Sequence, residues 1–216
     1  MPKKRGSGSP IPYSDKVFLP YVAALGQLAL AWNGFHETLA LLFCSVARDQ
    51  KPTKEDSTSG QLLAIWHALK SDRAQREILL AAVQNHVWGA FPADFVEDVE
   101  WICARANELE EARNNALHSP LWAHERISHQ TIVMPIIGLG HVRAKKLFEK
   151  NLLREYRWCR DASLILTRFA GEIDESLRDW NRPWPDKPSL PNRGDGGKAK
   201  SRTHPKRPRP PRSSRG

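Results

Sequence analysis

An arginine, two amides and an imidazole stand close together in the stretch Asn107 to Trp122, which reads Asn-Glu-Leu-Glu-Glu-Ala-Arg-Asn-Asn-Ala-Leu-His-Ser-Pro-Leu-Trp. Arg113, Asn114, Asn115 and His118 are the residue types that handle a phosphodiester. Histidine titrates near neutral pH, so His118 can serve as base or acid. Arg113 is always charged, and its fork matches phosphate oxygens, so it can hold charge that develops on a phosphorane. Asn114 can orient the imidazole or hydrogen-bond a phosphate oxygen. RNA brings its own nucleophile, the 2′-hydroxyl. The set would therefore cleave RNA without a metal or other cofactor and leave a 2′,3′-cyclic phosphate. One such set supplies a single imidazole, and the second proton-transfer group has to come from elsewhere.

A helix must carry these residues, and the sequence says where it stops. Pro120 cannot continue a helix and biases Ser119 away from helical geometry, so a helix starting near Pro92 to Asp94 ends near His118. Proline and acidic residues in its first turn suit its positive end. Val96, Val99, Ile102, Cys103, Ala106, Leu109 and Ala116 give it an apolar face. Asn114 and His118 are four residues apart and share a face. Arg113 is rotated about 100° from Asn114, within reach of its long side chain.

The run Arg113-Asn114-Asn115-Ala116-Leu117-His118 resembles the motif of the HEPN superfamily: Arg, a polar residue (often Asn), about three variable residues, then His, near the end of a helix. No other Arg-x4-His or Arg-x6-His occurs in the chain. The resemblance covers the motif closely and the rest of the folded part only as a helical pattern. It implies a metal-independent endoribonuclease with Arg113, Asn114 and His118 as catalytic residues. It also implies a homodimer in which two motifs face one another across the axis. Bacterial members of the family often act as ribonuclease toxins or phage-defence effectors, which would add an antitoxin or regulatory protein to the partners. Others have lost activity and only bind nucleotides or partners.

A purely structural reading stands beside this one. A protonated histidine at a helix C-terminus is stabilised by the dipole by about 0.3–1 kcal/mol at the surface. Arg113 would then pair with Glu110 or Glu111, and Asn115 would simply end the helix. Three further positions have two readings each. Arg73 and Arg76, three apart on one helix face, either hold RNA phosphates, as Asn115 also could, or form ion pairs. Glu37, Asn33 and His36 are either a solvated face, or Glu37 or Asn33 forms a second layer behind the motif.

Around this stretch the chain reads as an all-α bundle of about four long helices, some kinked. A first helix is expected from Pro20 to Arg48, with Leu25, Leu28, Trp32, Phe35, Leu39 and Leu42 on one stripe. A second region, Gln61 to Val87, breaks near Lys70 to Glu77, where Ser71 or Asp72 suits an N-cap. The motif helix is third. After it, Thr131 to Ile137 is β-branched and Gly138-Leu139-Gly140 follows, so a small extended or β-hairpin insertion is expected before a fourth helix from Ala144 to Trp180.

The formal net charge is +9 over 216 residues, but Lys3, Lys4, Arg5 and the segment after Asn181 account for +12, leaving residues 6–181 at −3. A nucleic-acid role is therefore not to be read from the overall charge of the folded part. Residues 1–15 and 182–216 are expected to be disordered ends flanking a domain of residues 16–181, with Trp184 and Leu190 able to pack back on the bundle. Cys44, Cys103 and Cys159 are far apart and sit in helical patterns, as suits reduced, buried thiols in a cytoplasmic protein. No apolar run reaches the length of a membrane span. No His-x3-His, Glu-x-x-His, paired-Cys, Walker or dinucleotide pattern is present. The expected function is a HEPN-type endoribonuclease. The alternatives are a catalytically silent HEPN-like binding module and a nucleic-acid-binding accessory protein that works through its basic tail.

Overall fold

The computed structural model describes residues 13, 15–48, 58–85, 92–125, 131–138, 140–179 and 181–194. The expected N-terminal segment lies almost wholly outside these residues, as do the expected turn around Trp88-Gly89-Ala90 and the tail beyond residue 194.

Four helices form the frame: α1 (Leu19–Val46), α3 (Asp72–Gln84), α4 (Phe95–Leu117) and α6 (Leu152–Arg178). A shorter helix, α2 (Thr58–Ala68), packs on α1 through Trp66 and Phe43. Helices α1 and α6 run parallel. Arg160 donates to Gln27 at one end (2.7 Å) and Ser45 to Asp174 at the other (2.5 Å), with Gly171 facing Thr38 between them. Helix α4 runs antiparallel to both α3 and α6, because Gln84 meets Glu100 while Asp72 meets Arg113, and Phe169 meets Trp101 while Cys159 meets Leu109.

The core between them is continuous and apolar. Leu28, Phe35, Leu39 and Leu42 of α1, Val99, Ile102 and Leu109 of α4, and Leu166, Phe169 and Ile173 of α6 are all fully buried. Each such side chain contributes roughly 1.5–3 kcal/mol relative to an exposed one. The three cysteines are buried free thiols, and burial pushes Cys103 and Cys159 up to about 12, so neither is a nucleophile at neutral pH. No described helix is long and apolar enough to cross a membrane.

The expected hairpin is present between α4 and the next helix. Strands β1 (Leu121–Glu125) and β2 (Thr131–Pro135) pair antiparallel, with Leu121 opposite Pro135 and Ala123 opposite Val133. Leu121, Ala123 and Val133 point into the core, while Trp122 stays nearly half exposed.

Three expectations about extent are corrected. The frame is three long helices and a short one, not four long ones. The expected fourth helix is split into α5 (Val142–Leu147) and α6, with Glu149 at φ +65° between them. Asn151 explains the restart: its side chain accepts from Arg154 N–H (3.1 Å) and caps α6. The ordered chain also continues beyond Asn181. Residues 181–194 form a strap laid back over the bundle, held by Trp184, by Trp158 donating to the Pro191 carbonyl (2.9 Å), and by Arg193 on Glu155 (2.8 Å).

Candidate active site

The break between α2 and α3 creates the first half of the site. Ser71 is the N-cap of α3 and accepts from Ala74 N–H at 3.2 Å. Asp72 is thereby released from capping. It stands at the positive end of α3 and turns across the bundle toward α1 and α4.

Asp72 collects three groups. Trp32 of α1 donates its indole N–H to Oδ2 at 2.7 Å, Arg113 of α4 donates to the same oxygen, and His36 Nε2 lies 3.9 Å away. Burial alone would raise the Asp72 carboxyl. The Trp32 hydrogen bond and the charges facing it, including Arg113 and Arg76, outweigh that and hold it below the usual carboxylate range.

Arg113 is held at both of its amino groups. Its second amino group donates to Asn114 Oδ1 at 2.7 Å, and its guanidinium carbon sits 4.8 Å from the centre of the Trp32 ring. Its Nε is buried without an acceptor among the described residues. The expected pairing of Arg113 with Glu110 or Glu111 does not occur: Glu110 takes Arg76 (2.5 Å) and Glu111 takes Lys146.

A second arginine lies deeper. Arg76 is 1% exposed and donates to Asn107 Oδ1 from Nε (3.1 Å) and Nη2 (2.8 Å), to Glu110, and to His36 Nε2 at 3.3 Å. Since arginine only donates, His36 Nε2 must be the acceptor, and its Nδ1–H donates to Gln75 Oε1 at 3.0 Å. Burial lowers the His36 pKa, and the nearby arginines push the same way against Asp72, so the ring is neutral at pH 7.

His118 is placed differently from Arg113. It is the C-cap of α4, with its backbone N–H on Asn114 O (3.1 Å), and its side chain is exposed. No hydrogen bond or ion pair holds the ring among the described residues. Arg113 and Asn114 are brought together by a direct bond. His118 follows them on the same helix end but points into solvent.

The remaining residues singled out in the sequence divide cleanly. Asn115 is buried beside a cleft between α4 and α5. Arg76 takes the ion-pair alternative and has no face to offer RNA. Arg73 is exposed on the outer side of α3 and pairs with Glu77 at 3.0 Å. Glu37 is exposed and lies 3.9 Å from His67, away from the motif; its neighbour His36 is the residue of that turn which enters the site. His141 is exposed at the start of α5, and the side chains of His124 and His129 lie outside the described residues.

Five residues of the site were not singled out by sequence as its members: Trp32, His36, Asp72, Gln75 and Asn107. Their signals were faint. Trp32 and His36 are four apart on a helix, and Asn107, Glu110 and Asn114 repeat a polar side at three and four, but either pattern also fits a core edge or a solvated face.

Comparison of the chain with protein-family models, with curated proteins and with solved structures returned no match.

Proposed function

We propose that the chain is a metal-independent endoribonuclease of HEPN type. The observation that carries this reading is that a pre-oriented arginine and an exposed histidine stand at the same helix end. Arg113 is held by Asp72, Trp32 and Asn114, while the His118 ring is exposed and unpartnered among the described residues. In this reading one imidazole takes the proton of the RNA 2′-hydroxyl as its oxygen attacks phosphorus. A second, protonated imidazole gives its proton to the departing 5′-oxygen, so the proton count balances and a 2′,3′-cyclic phosphate remains. Arg113 offsets charge on the phosphorane. The second imidazole is His118 of another copy of the chain, which makes a homodimer part of the proposal. Action as a toxin or phage-defence effector in the cytoplasm, restrained by an antitoxin or other regulatory protein, belongs to the same reading.

A second reading has its own observation. The Arg113 charge is already met by Asp72, and no contact joins the guanidinium to His118. That arrangement favours a silent module that binds RNA or a partner without cutting. RNA cleavage in EDTA by the wild type, His118→Ala and Arg113→Lys separates the two. The enzyme cuts to cyclic-phosphate ends and loses this in His118→Ala, whereas the silent module is inert throughout.

A further inference from the structure

The cleft between α4 and α5 lies directly beside the motif. Its volume is about 540 Å³, and Asn107, Glu110, Asn114, Val142, Arg143 and Lys146 line it. That size suits a nucleotide-scale ligand.

The hydrogen bonds behind the wall fix what it offers. Asn107 Oδ1 accepts from Arg76, and Asn114 Oδ1 accepts from Arg113. An arginine cannot accept, so both amides are forced to place oxygen toward the arginine and NH2 away from it. Neither NH2 has a partner among the described residues. The two asparagines are seven apart, two helical turns on one side of α4, about 10.5 Å along the axis. The wall therefore carries two donors of fixed orientation.

The charges add to this. Glu110 is neutralised by Arg76, and Glu111, also at the cleft, by Lys146, whose hydrogen bond and charge hold the Glu111 carboxyl below its ordinary value. Arg143 is exposed and has no ion-pair or hydrogen-bond partner among the described residues. The cleft thus has one cation in excess, two oriented amide donors and, at Val142, an exposed apolar rim. Phosphate and sugar oxygens are acceptors only or acceptor-rich, and a ribose or base face suits the rim.

We infer that the α4–α5 cleft is a binding subsite for the sugar-phosphate backbone of single-stranded RNA, with Asn107, Asn114 and Arg143 as its contacts. This rests on the reading of the motif as an RNA site and adds where the strand lies: along α4 toward α5, beside Asn114, the amide that holds Arg113.

Two measurements on the full chain test it separately from that reading. The first is anisotropy of a fluorescent 2′-O-methyl RNA hexamer, which cannot be cleaved, at elevated salt to suppress contact with the basic tail. Wild type is compared with Arg143→Ala, Asn107→Asp and, as a control on a distant exposed arginine, Arg168→Ala. Asn107→Asp keeps the oxygen that Arg76 needs and replaces the donor by a carboxylate, so the fold is retained. Arg143→Ala and Asn107→Asp each weaken binding about tenfold, the size expected for one charge-assisted contact, and Arg168→Ala does not. Wild-type affinity in both cleft variants, or no binding by wild type, overturns the subsite. The second is cleavage of unmodified RNA by wild type and His118→Ala. Cleavage lost in His118→Ala with the cleft variants still binding normally keeps the nuclease and rejects the cleft. An inert wild type whose hexamer binding still falls in the cleft variants rejects the nuclease and keeps the cleft.

Discussion

The two ends of α4 each hold an aspartate in the same way, yet they leave different groups unpaired. At the N-terminal end Asp98 accepts from the indole of Trp184 (2.9 Å) and lies 3.0 Å from Lys187 of the strap. At the C-terminal end Asp72 of α3 accepts from the indole of Trp32 and from Arg113 of α4. Around Asp98 the cation serves only that corner: Lys187 also bridges Glu97 and nothing further is presented. Around Asp72 the arginine passes its second amino group to Asn114, whose NH2 opens on the α4–α5 cleft, and His118 stands free at the helix end. A tryptophan-and-cation clasp on a carboxylate is therefore a structural device in itself. What separates a site from a fastening is the donors and the imidazole left over once the clasp is made.

This contrast is broken most severely at Arg76. Arg76→Ala removes a fully buried cation and leaves Glu110 and Asn107 without their donor, so chemical denaturation is expected to show a loss of about 3–5 kcal/mol. The strap end responds less. Trp184→Phe removes one hydrogen bond to a buried carboxylate and lowers stability by roughly 1.5–3 kcal/mol, while RNA cleavage stays at the wild-type level. If Trp184→Phe abolishes cleavage, the two ends are not independent. Smaller still is the cap that frees Asp72: Ser71→Ala costs about 1 kcal/mol in the same denaturation series.

Acid separates two groups of the Asp72 end, His36 and Asp72 itself. His36 has a folded pKa depressed from the ordinary 6.5, so in the window just below that value the unfolded chain binds the extra proton and the fold does not. The stability linked to His36 is complete above 6.5 and falls as pH drops toward the folded pKa. Asp72 is also depressed, from 3.8, and its contribution is lost only as pH falls below that value. Denaturation midpoints measured across this range decline first near pH 6 in wild type, and His36→Gln flattens that first step. A first step unchanged in His36→Gln would mean that another histidine carries it.

Much of the backbone was legible in the sequence. The end of α4 followed from Pro120, a covalent constraint that no neighbour can override, and the hairpin from the β-branched run at Thr131 to Ile137. The split of the last helix was also written, in Asn151 followed by Leu152 and Leu153, but the apolar spacing on both sides reads through it as one helix. The site was legible only along α4. Asp72 could be recognised as a residue near a helix start, yet its role depends on Ser71 taking the cap and on α3 lying antiparallel to α4. His36 reads as a polar break in an apolar stripe, and only the parallel packing of α1 beside α3 puts it between Arg76 and Asp72. Contacts of this kind are set by the register between helices, which a single sequence does not carry.

The central claim is that His118 is the proton-transfer group of a site prepared by Arg113. It is tested most directly by incubating purified wild type and His118→Ala with single-stranded RNA in EDTA and identifying the new ends. The account predicts 2′,3′-cyclic phosphates from wild type and a loss of at least about 100-fold in His118→Ala, with an unchanged helical spectrum because the ring is exposed. Equal cleavage by both proteins, or ends without a cyclic phosphate, would contradict it.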